Sequence, residues 1–110
     1  MLELLLLLPH RQHSVKPSVP FKLKRHDIRL VAGRFPVANP RVFGSVLHGD
    51  DAEGSDLDLL VDPLPGTTLF DLGGLQVELE DLLGVPVDLL TPGDLPAKFR
   101  GQVLAEALPV

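Results

Sequence analysis

Prolines and glycines divide this chain into short segments, and that punctuation restricts it to short helices and strands. Eleven prolines and ten glycines are spread through 110 residues. Proline ends a regular helix, and both residue types favour turns. Between these breaks, the apolar residues of Leu57–Val61 indicate a strand that stops at Pro63. The leucines of Leu69–Leu83 instead recur at helical spacing up to Gly84, so strands and helices alternate along the chain.

The remaining segments complete an α+β pattern. Thr68 followed by Asp71 is typical of a capping box at the start of the leucine-rich helix. The order of elements predicts a small mixed sheet of about three to four strands flanked by helices. The other predicted elements are a helix over Phe21–Phe35, a strand over Arg41–Phe43, a helical turn over Ser45–His48, a strand over Val85–Leu90 and a last helix that Asp94 caps and that runs to Ala107.

The first twenty residues differ from the rest of the chain. The apolar run Leu4–Leu8 is too short for a signal peptide or a membrane span, and it suits a short helix or a docking segment. Three prolines interrupt residues 9–20, which is typical of a linker. We therefore expect a flexible segment over residues 1–20 and one domain over residues 21–110, in a cytoplasmic protein without membrane contact.

Composition excludes several kinds of function. Cysteine is absent, so disulfides and thiol catalysis are excluded, and the absence of tyrosine and tryptophan argues against the aromatic platforms on which RNA bases stack. Residues 1–50 hold eight Lys or Arg against three Asp or Glu, whereas residues 51–110 hold two against twelve. An acidic half repels nucleic acid unless cations intervene, so we expect no direct nucleic-acid binding. The alternative is that these acidic residues only keep the domain soluble.

Two aspartates lie on one face at the start of the predicted strand Leu57–Val61. Side chains alternate along a strand, so Asp56 and Asp58 share a face while Leu57, Leu59 and Val61 point to the core. Two carboxylates about 7 Å apart on one strand repel each other unless they are solvated or bridged by a cation such as Mg²⁺ or Mn²⁺. Asp88 lies in the next strand among apolar residues, where a buried carboxylate needs a partner or a metal. If the two strands are neighbours, three carboxylates converge; a solvated pair and a structural Asp88 are the alternatives.

A candidate phosphate site, Gly44 and Ser45, precedes the predicted strand Leu57–Val61. Glycine allows a ligand to approach the backbone closely, and the serine hydroxyl can donate to a phosphate oxygen. Carboxylates that hold metal opposite such a turn are typical of metal-assisted phosphoryl or nucleotidyl transfer.

Together these segments resemble the minimal nucleotidyltransferase (MNT) antitoxin family, a subgroup of the DNA polymerase β-type nucleotidyltransferase superfamily. The resemblance covers about residues 22–110 and implies that superfamily's fold. It rests on Phe43-Gly44-Ser45, Gly49, Ser55-Asp56-Leu57-Asp58-Leu59-Leu60-Val61, Thr68-Leu69-Phe70-Asp71-Leu72-Gly73-Gly74-Leu75, Pro86-Val87-Asp88-Leu89-Leu90-Thr91 and Ala107-Leu108-Pro109-Val110.

The resemblance also implies roles for the site residues. Asp56 and Asp58 would bind two Mg²⁺ ions, with Mn²⁺ as an alternative, and Asp88 would be a third metal ligand or the base for the incoming hydroxyl. Gly44 and Ser45 would hold the β- and γ-phosphates of ATP or another nucleotide. The signature also makes Ser55 a nucleotide-binding candidate.

The resemblance to this family implies a partner and leaves three possible functions. Many MNT proteins serve as antitoxins beside HEPN-type ribonuclease toxins, and some transfer AMP from ATP to a tyrosine of the toxin. The chain would then be such an enzyme, an antitoxin that acts by binding alone, or a nucleotide sensor. His48 stands where an arginine is often found, a departure that implies either weaker phosphate binding or a different nucleotide preference. Since a chain of this size has no room for the second domain of larger relatives, we expect a partner chain or a homo-oligomer to complete the acceptor site; the alternative is that the site is not completed.

Overall fold

A mixed sheet with helices packed against it organises the residues that the computed structural model describes, 15–110. The predicted α+β class, with a small mixed sheet flanked by helices, is confirmed. In chain order the elements are α1 (Ser18–Leu23), α2 (Arg25–Ala32), β1 (Val37–Phe43), α3 (Gly44–His48), β2 (Leu57–Pro63), α4 (Leu69–Leu83), β3 (Val87–Leu90), a 3₁₀ turn (Pro92–Asp94), α5 (Ala97–Glu106) and β4 (Leu108–Pro109).

The sheet has the strand order β3-β2-β1-β4. β1 is antiparallel to both β2 and β4, whereas β2 and β3 are parallel and are joined through α4. Parallel neighbours need such a crossover because the end of one strand and the start of the next lie at opposite ends of the sheet. β4 was not predicted, since its two residues, Leu108 and Pro109, are too few to show an alternating pattern. They pair with Val42 and Arg41 and so complete the edge beside β1.

One face of β2 supports an aliphatic core. Leu57, Leu59 and Val61 are all buried, as their alternation with the aspartates predicts. Helices α2 and α4 cover this face, with Ile28 and Leu75 fully buried between them. Complete burial of one such side chain contributes about 1.5–3 kcal/mol, so this face holds much of the stability of the domain.

Helix α4 begins and ends at the residues that the sequence predicts. The Thr68 hydroxyl oxygen accepts from the Asp71 N–H at 3.2 Å, and the Asp71 carboxylate accepts from the Thr68 N–H at 2.9 Å. Gly84 ends the helix in the left-handed conformation, with φ +70°. This arrangement confirms the predicted capping box and glycine cap. Leu69 is an exception to the predicted apolar stripe, because 86% of its surface is exposed.

The N-terminal helical region differs from its prediction. Two helices replace the single predicted one, since the backbone at Lys24 leaves the helical region with φ −118°. The Lys24 ammonium group donates instead to the carbonyl of Leu82, which ties this break to the end of α4. The linker prediction was wrong for Ser18–Pro20, which form the first turn of α1, and both Pro17 and Pro20 are buried.

Two other boundaries also differ. β1 begins at Val37, four residues before its predicted start, and an irregularity near Asn39, whose φ is +60°, accommodates the proline that follows. Asp94 does not cap the last helix. It forms a capping box with Thr91 that closes the 3₁₀ turn, and α5 begins only at Ala97. Asp94 stands three residues after Thr91, which is the spacing of a capping box, but it also stands shortly before a helical segment that it could cap, so the sequence alone did not separate the two roles.

Some predictions concern residues 1–14, which lie outside the described residues. The predicted helix or docking segment Leu4–Leu8 is one of them. The predicted start of the domain at residue 21 is not tested by the structure and stays a prediction. Within residues 15–110, each helix is too short or too polar to cross a lipid bilayer.

Candidate active site

A row of three residues crosses the sheet on the face opposite the core. Phe43 of β1 is the register partner of Asp58, and Asp58 is the partner of Asp88 on β3. Residues that are paired across neighbouring strands point to the same side of a sheet. The structure therefore brings the carboxylates of Asp58 and Asp88 side by side, as the sequence predicts for adjacent strands.

Asp58 is the electrostatic centre of this row. Burial, followed by the negative charges of Asp88 and Asp56, raises the pKa of Asp58 to about 6. Asp56 immediately precedes β2 and is exposed to solvent. The three carboxylates thus lie close enough to repel one another, which favours either a proton or a cation at Asp58.

The burial expected for Asp88 was wrong. Asp88 is exposed, and the half-buried carboxylate is that of Asp58. The physical reason is the strand order, because β3 lies at the edge of the sheet whereas β2 lies between two neighbours. The apolar residues around Asp88 in sequence cover the core face and leave the aspartate open to solvent.

The positions of the three aspartate side chains do not by themselves form a metal-binding site. Among residues 15–110, no group of three His, Cys, Asp or Glu side chains is arranged to hold a metal ion as it stands. The donor chemistry nevertheless suits a hard divalent cation, since carboxylate oxygens are its preferred ligands and a cation would relieve the repulsion at Asp58. Asp56 and Asp88 are exposed, so their side chains are free to adopt other rotamers.

Gly44 brings backbone against this carboxylate. It has φ +70°, and a Cβ atom built on it would collide with Oδ2 of Asp58. Only glycine fits this position, for both steric and conformational reasons. Gly44 and Ser45 form the first residues of α3, whose initial N–H groups have no partner within the helix. The predicted phosphate-binding turn and the carboxylates therefore lie at one site.

Ser55 shapes the loop that leads to Asp56. Its hydroxyl oxygen accepts from the N–H of Ala52 at 2.9 Å, and its own N–H donates to the Ala52 carbonyl at 3.0 Å. These bonds close a turn directly before β2. The hydroxyl hydrogen is still available as a donor, so a role for Ser55 at the nucleotide stays a prediction.

Asp51 is a buried residue that the sequence analysis missed. Its carboxylate accepts from the N–H of Ser18 at 2.9 Å and ties the loop after α3 to the start of α1. Burial acts to raise the pKa of Asp51, but hydrogen bonds from Ser18 and the charge of Lys16 outweigh it and hold the pKa below its usual value. These partners lie 33 residues apart, so no local pattern could have indicated the contact.

His48 is exposed and joins α3 to α5. Its Nε2 atom lies 3.1 Å from Oε2 of Glu106. Between these helices lies a cleft of about 340 Å³, with Gly44 at one end and Leu90 in its wall. No feature of the sequence indicated this partner, which lies 58 residues away.

Comparison with known proteins identifies the family. The model of the nucleotidyltransferase domain family matches residues 28–110, a range that contains the whole site. The chain belongs to the nucleotidyltransferase family. The match starts within α2 and runs through the sheet, so the fold predicted from the resemblance is also the fold of this family.

Two relatives show where this nucleotidyltransferase stands within the family. A candidate protein adenylyltransferase of Methanocaldococcus jannaschii is 38% identical over 89 residues, which cover 81% of this chain and 95% of that protein. The protein adenylyltransferase MntA of Thermococcus cleftensis is 39% identical over 75 residues, which cover 68% of this chain and 76% of that protein. These similarities confirm the predicted place among the minimal nucleotidyltransferases.

Solved structures agree with this assignment. The structure of a candidate minimal nucleotidyltransferase is 41% identical, with a TM-score of 0.76 over 84% of this chain and 95% of that one. The nucleotidyltransferase also shares its fold with a chain in the structure of a toxin–antitoxin complex with AMP-PNP, at 20% identity and a TM-score of 0.66 over 76% and 69% of the two chains.

Proposed function

We propose that this nucleotidyltransferase is a protein adenylyltransferase that transfers AMP from ATP to a hydroxyl group of a partner protein. The proposal is supported by two relatives that carry the name protein adenylyltransferase. By the MNT resemblance, the partner is a HEPN-type toxin, the acceptor is a tyrosine, and this chain is the antitoxin. The observation that carries the proposal is the pairing of Asp58 with Asp88 in register, directly beside Gly44.

Asp56, Asp58 and Asp88 would hold the metal. By the MNT resemblance we expect two Mg²⁺ ions there, and a cation would also relieve the repulsion among the carboxylates. Mn²⁺ would suit the same oxygen ligands. When bound, the metal neutralises the triphosphate and stabilises the attacking and leaving oxygens.

The residues of this chain position the two substrates. Gly44 has no side chain, so it lets the triphosphate approach the backbone beside Asp58, while the Ser45 hydroxyl donates to a phosphate oxygen. Ser55 offers a second hydroxyl donor from the loop before β2. Asp88 is exposed at the edge of the sheet, where a partner protein can reach it, and accepts the proton of the incoming hydroxyl.

The transfer is a single displacement at the α-phosphorus of ATP. The acceptor oxygen forms a bond to the α-phosphorus of ATP while the bond between that phosphorus and the bridging oxygen to the β-phosphate breaks. Pyrophosphate leaves with the electron pair of the broken bond, and the acceptor carries AMP.

The direct test is label transfer from ATP labelled at the α-phosphate to the HEPN-type partner, with Mg²⁺ present. We expect labelling by the wild type and none by a variant that carries both Asp56→Asn and Asp58→Asn. Asp81→Asn is a matched control, because it makes the same chemical change on an exposed turn of α4. Equal labelling by the double variant would rule out the proposed site.

A second candidate is an antitoxin that neutralises its toxin by binding alone. It is favoured by His48, which stands where an arginine is often found and lies 3.1 Å from Glu106. Leu69 and Phe70, exposed by 86% and 92%, also offer an apolar surface for a partner. Full neutralisation of the toxin in cells by the Asp56→Asn, Asp58→Asn variant, without any labelling, would select this candidate over the enzyme.

A further inference from the structure

The cleft between α3, β3 and α5 is distinct from the carboxylate row but continuous with it. Gly44 borders the cleft and also contacts Asp58, so the two share a wall. The volume, about 340 Å³, lies at the lower end of the range for small-molecule sites, roughly 300–1,000 Å³. A ligand of nucleoside size fits such a space, whereas a folded protein segment does not.

One face of α5 is turned toward this cleft. Phe99, Gln102, Val103 and Glu106 line it, and their spacing of three, one and three places them on one side of a helix. No residue of α5 is buried, and 50% of the Phe99 surface is exposed. Among residues 15–110, therefore, this helix face borders the open cleft and does not pack against the core.

The chemistry of the walls selects the kind of group that enters. Phe43, Leu90, Leu95 and Val103 make most of the lining apolar, and the described residues contribute neither lysine nor arginine to it. A triphosphate is thus unsuited to the cleft. A flat ring with a polar edge is suited, since Phe99 offers a ring for stacking and the Gln102 amide offers one donor group and one acceptor.

We propose that this cleft binds the base and ribose of the nucleotide, with the base stacked on Phe99 and its polar edge toward Gln102. The inference rests on the proposed function, which sets the phosphates at Gly44 and Ser45. Gly44 lies in the wall of the cleft, so phosphates held at this turn lie beside it. The domain then recognises the base without the second domain of larger relatives. A purine is favoured over a pyrimidine, because its larger ring system stacks over more of the apolar surface.

Calorimetric titration of the full chain with ATP, CTP and inorganic tripolyphosphate, all with Mg²⁺, tests the assignment. Tripolyphosphate carries the charge of the nucleotide without base or ribose. We expect the wild type to bind ATP more tightly than CTP or tripolyphosphate. Phe99→Ala should weaken ATP binding by about tenfold while tripolyphosphate binding changes less than about twofold, because loss of base stacking costs about 1–3 kcal/mol. Leu104→Ala, on α5 but outside the cleft lining, should change neither.

Each other outcome has a distinct meaning. Equal wild-type affinity for ATP and tripolyphosphate, or an equal loss of both in Phe99→Ala, overturns the base assignment. Unchanged ATP binding in Phe99→Ala together with lost AMP transfer also overturns it, and gives the cleft to the acceptor side chain. If the base effect is found but no transfer to any hydroxyl occurs, the cleft assignment stands and the proposed transferase function fails.

Discussion

The two faces of β2 differ in what they do for the protein. Leu57 and Leu59 point to one face, where they are fully buried and the side chains around them are apolar. Asp58 lies between them in sequence and points to the other face, where burial and two like charges raise its pKa. One face therefore lowers the free energy of the fold, and the other stores unfavourable charge at the candidate active site. The comparison teaches that stability and function are separated here by a single residue step along one strand.

The largest expected effects on stability and on AMP transfer come from placing an asparagine on each face of β2 in turn. Leu59→Asn should destabilise the domain by about 3–5 kcal/mol, because it removes buried apolar volume and buries an amide. Asp58→Asn should leave the fold intact while AMP transfer falls about a thousandfold, since a ligand to the metal worth several kcal/mol is lost.

Urea unfolding and label transfer, measured on both variants, check this pair. The separation of the two faces would be refuted if Asp58→Asn unfolded at a much lower urea concentration than the wild type. It would also be refuted if Leu59→Asn kept its stability, because that position is 1% exposed and leaves no room for a hydrated amide.

A smaller effect is expected where the backbone meets the site face. Gly44 and Gly49 both have positive φ, +70° and +75°, but only at Gly44 would a Cβ atom collide with Asp58. Gly49→Ala should therefore cost about 1–2 kcal/mol from backbone strain alone. Gly44→Ala should add a displaced carboxylate and lower AMP transfer by about a hundredfold, equivalent to about 2.7 kcal/mol.

The comparison of transfer rates, each measured on protein that circular dichroism shows to be folded, isolates the collision. Similar rates for the two alanine variants would mean that Gly44 matters only for its φ angle. The proximity of backbone and carboxylate would then have no part in the reaction.

Local sequence determined much of the site face, because alternation along β2 and the spacing of Gly44, Asp56 and Asp58 are local properties. The proximity of Asp88 could be predicted only on the condition that its strand lies beside β2. Its exposure could not be predicted, since that depends on which strand is at the edge of the sheet.

The same limit applies to the contacts that tie the loops together. Asp51 meets Ser18 across 33 residues, and His48 meets Glu106 across 58. Polar side chains of these types are common on surfaces, so neither partner is evident without the fold. The cleft beside α5 was missed for a related reason, because it is formed by segments whose packing no periodicity specifies.

The raised pKa of Asp58 gives a pH test of the site face. The ordinary pKa of an aspartate in an unfolded chain is about 3.9, and the folded value is about 6. Between these values the folded state binds more protons than the unfolded state, so stability falls as pH rises from about 4 to 6. Allowing for solvent screening of a half-exposed group, the loss is about 1–2 kcal/mol and persists above that range.

Unfolding of the wild type and Asp58→Asn at pH 4 and pH 8 measures this effect. The variant should gain stability relative to the wild type at pH 8 but not at pH 4. Added Mg²⁺ should raise the stability of the wild type at pH 8 and leave Asp58→Asn almost unchanged. A variant that is destabilised at pH 8 would show that Asp58 contributes favourably to the fold.

The smallest expected effects compare one kind of cap on the two sides of the sheet. Thr68 caps α4, which covers the core face, and Thr91 caps the 3₁₀ turn that leads to Leu95 and the cleft. Thr68→Ala should lower stability by about 1 kcal/mol without changing ATP affinity, because a fifteen-residue helix loses its cap far from the site. Thr91→Ala should cost less stability, since a three-residue turn supports little of the core, but should weaken ATP binding severalfold by loosening one wall of the cleft. Thermal unfolding and ATP titration of both variants check the contrast. Equal changes in ATP affinity would show that the cleft is not supported by the turn before it.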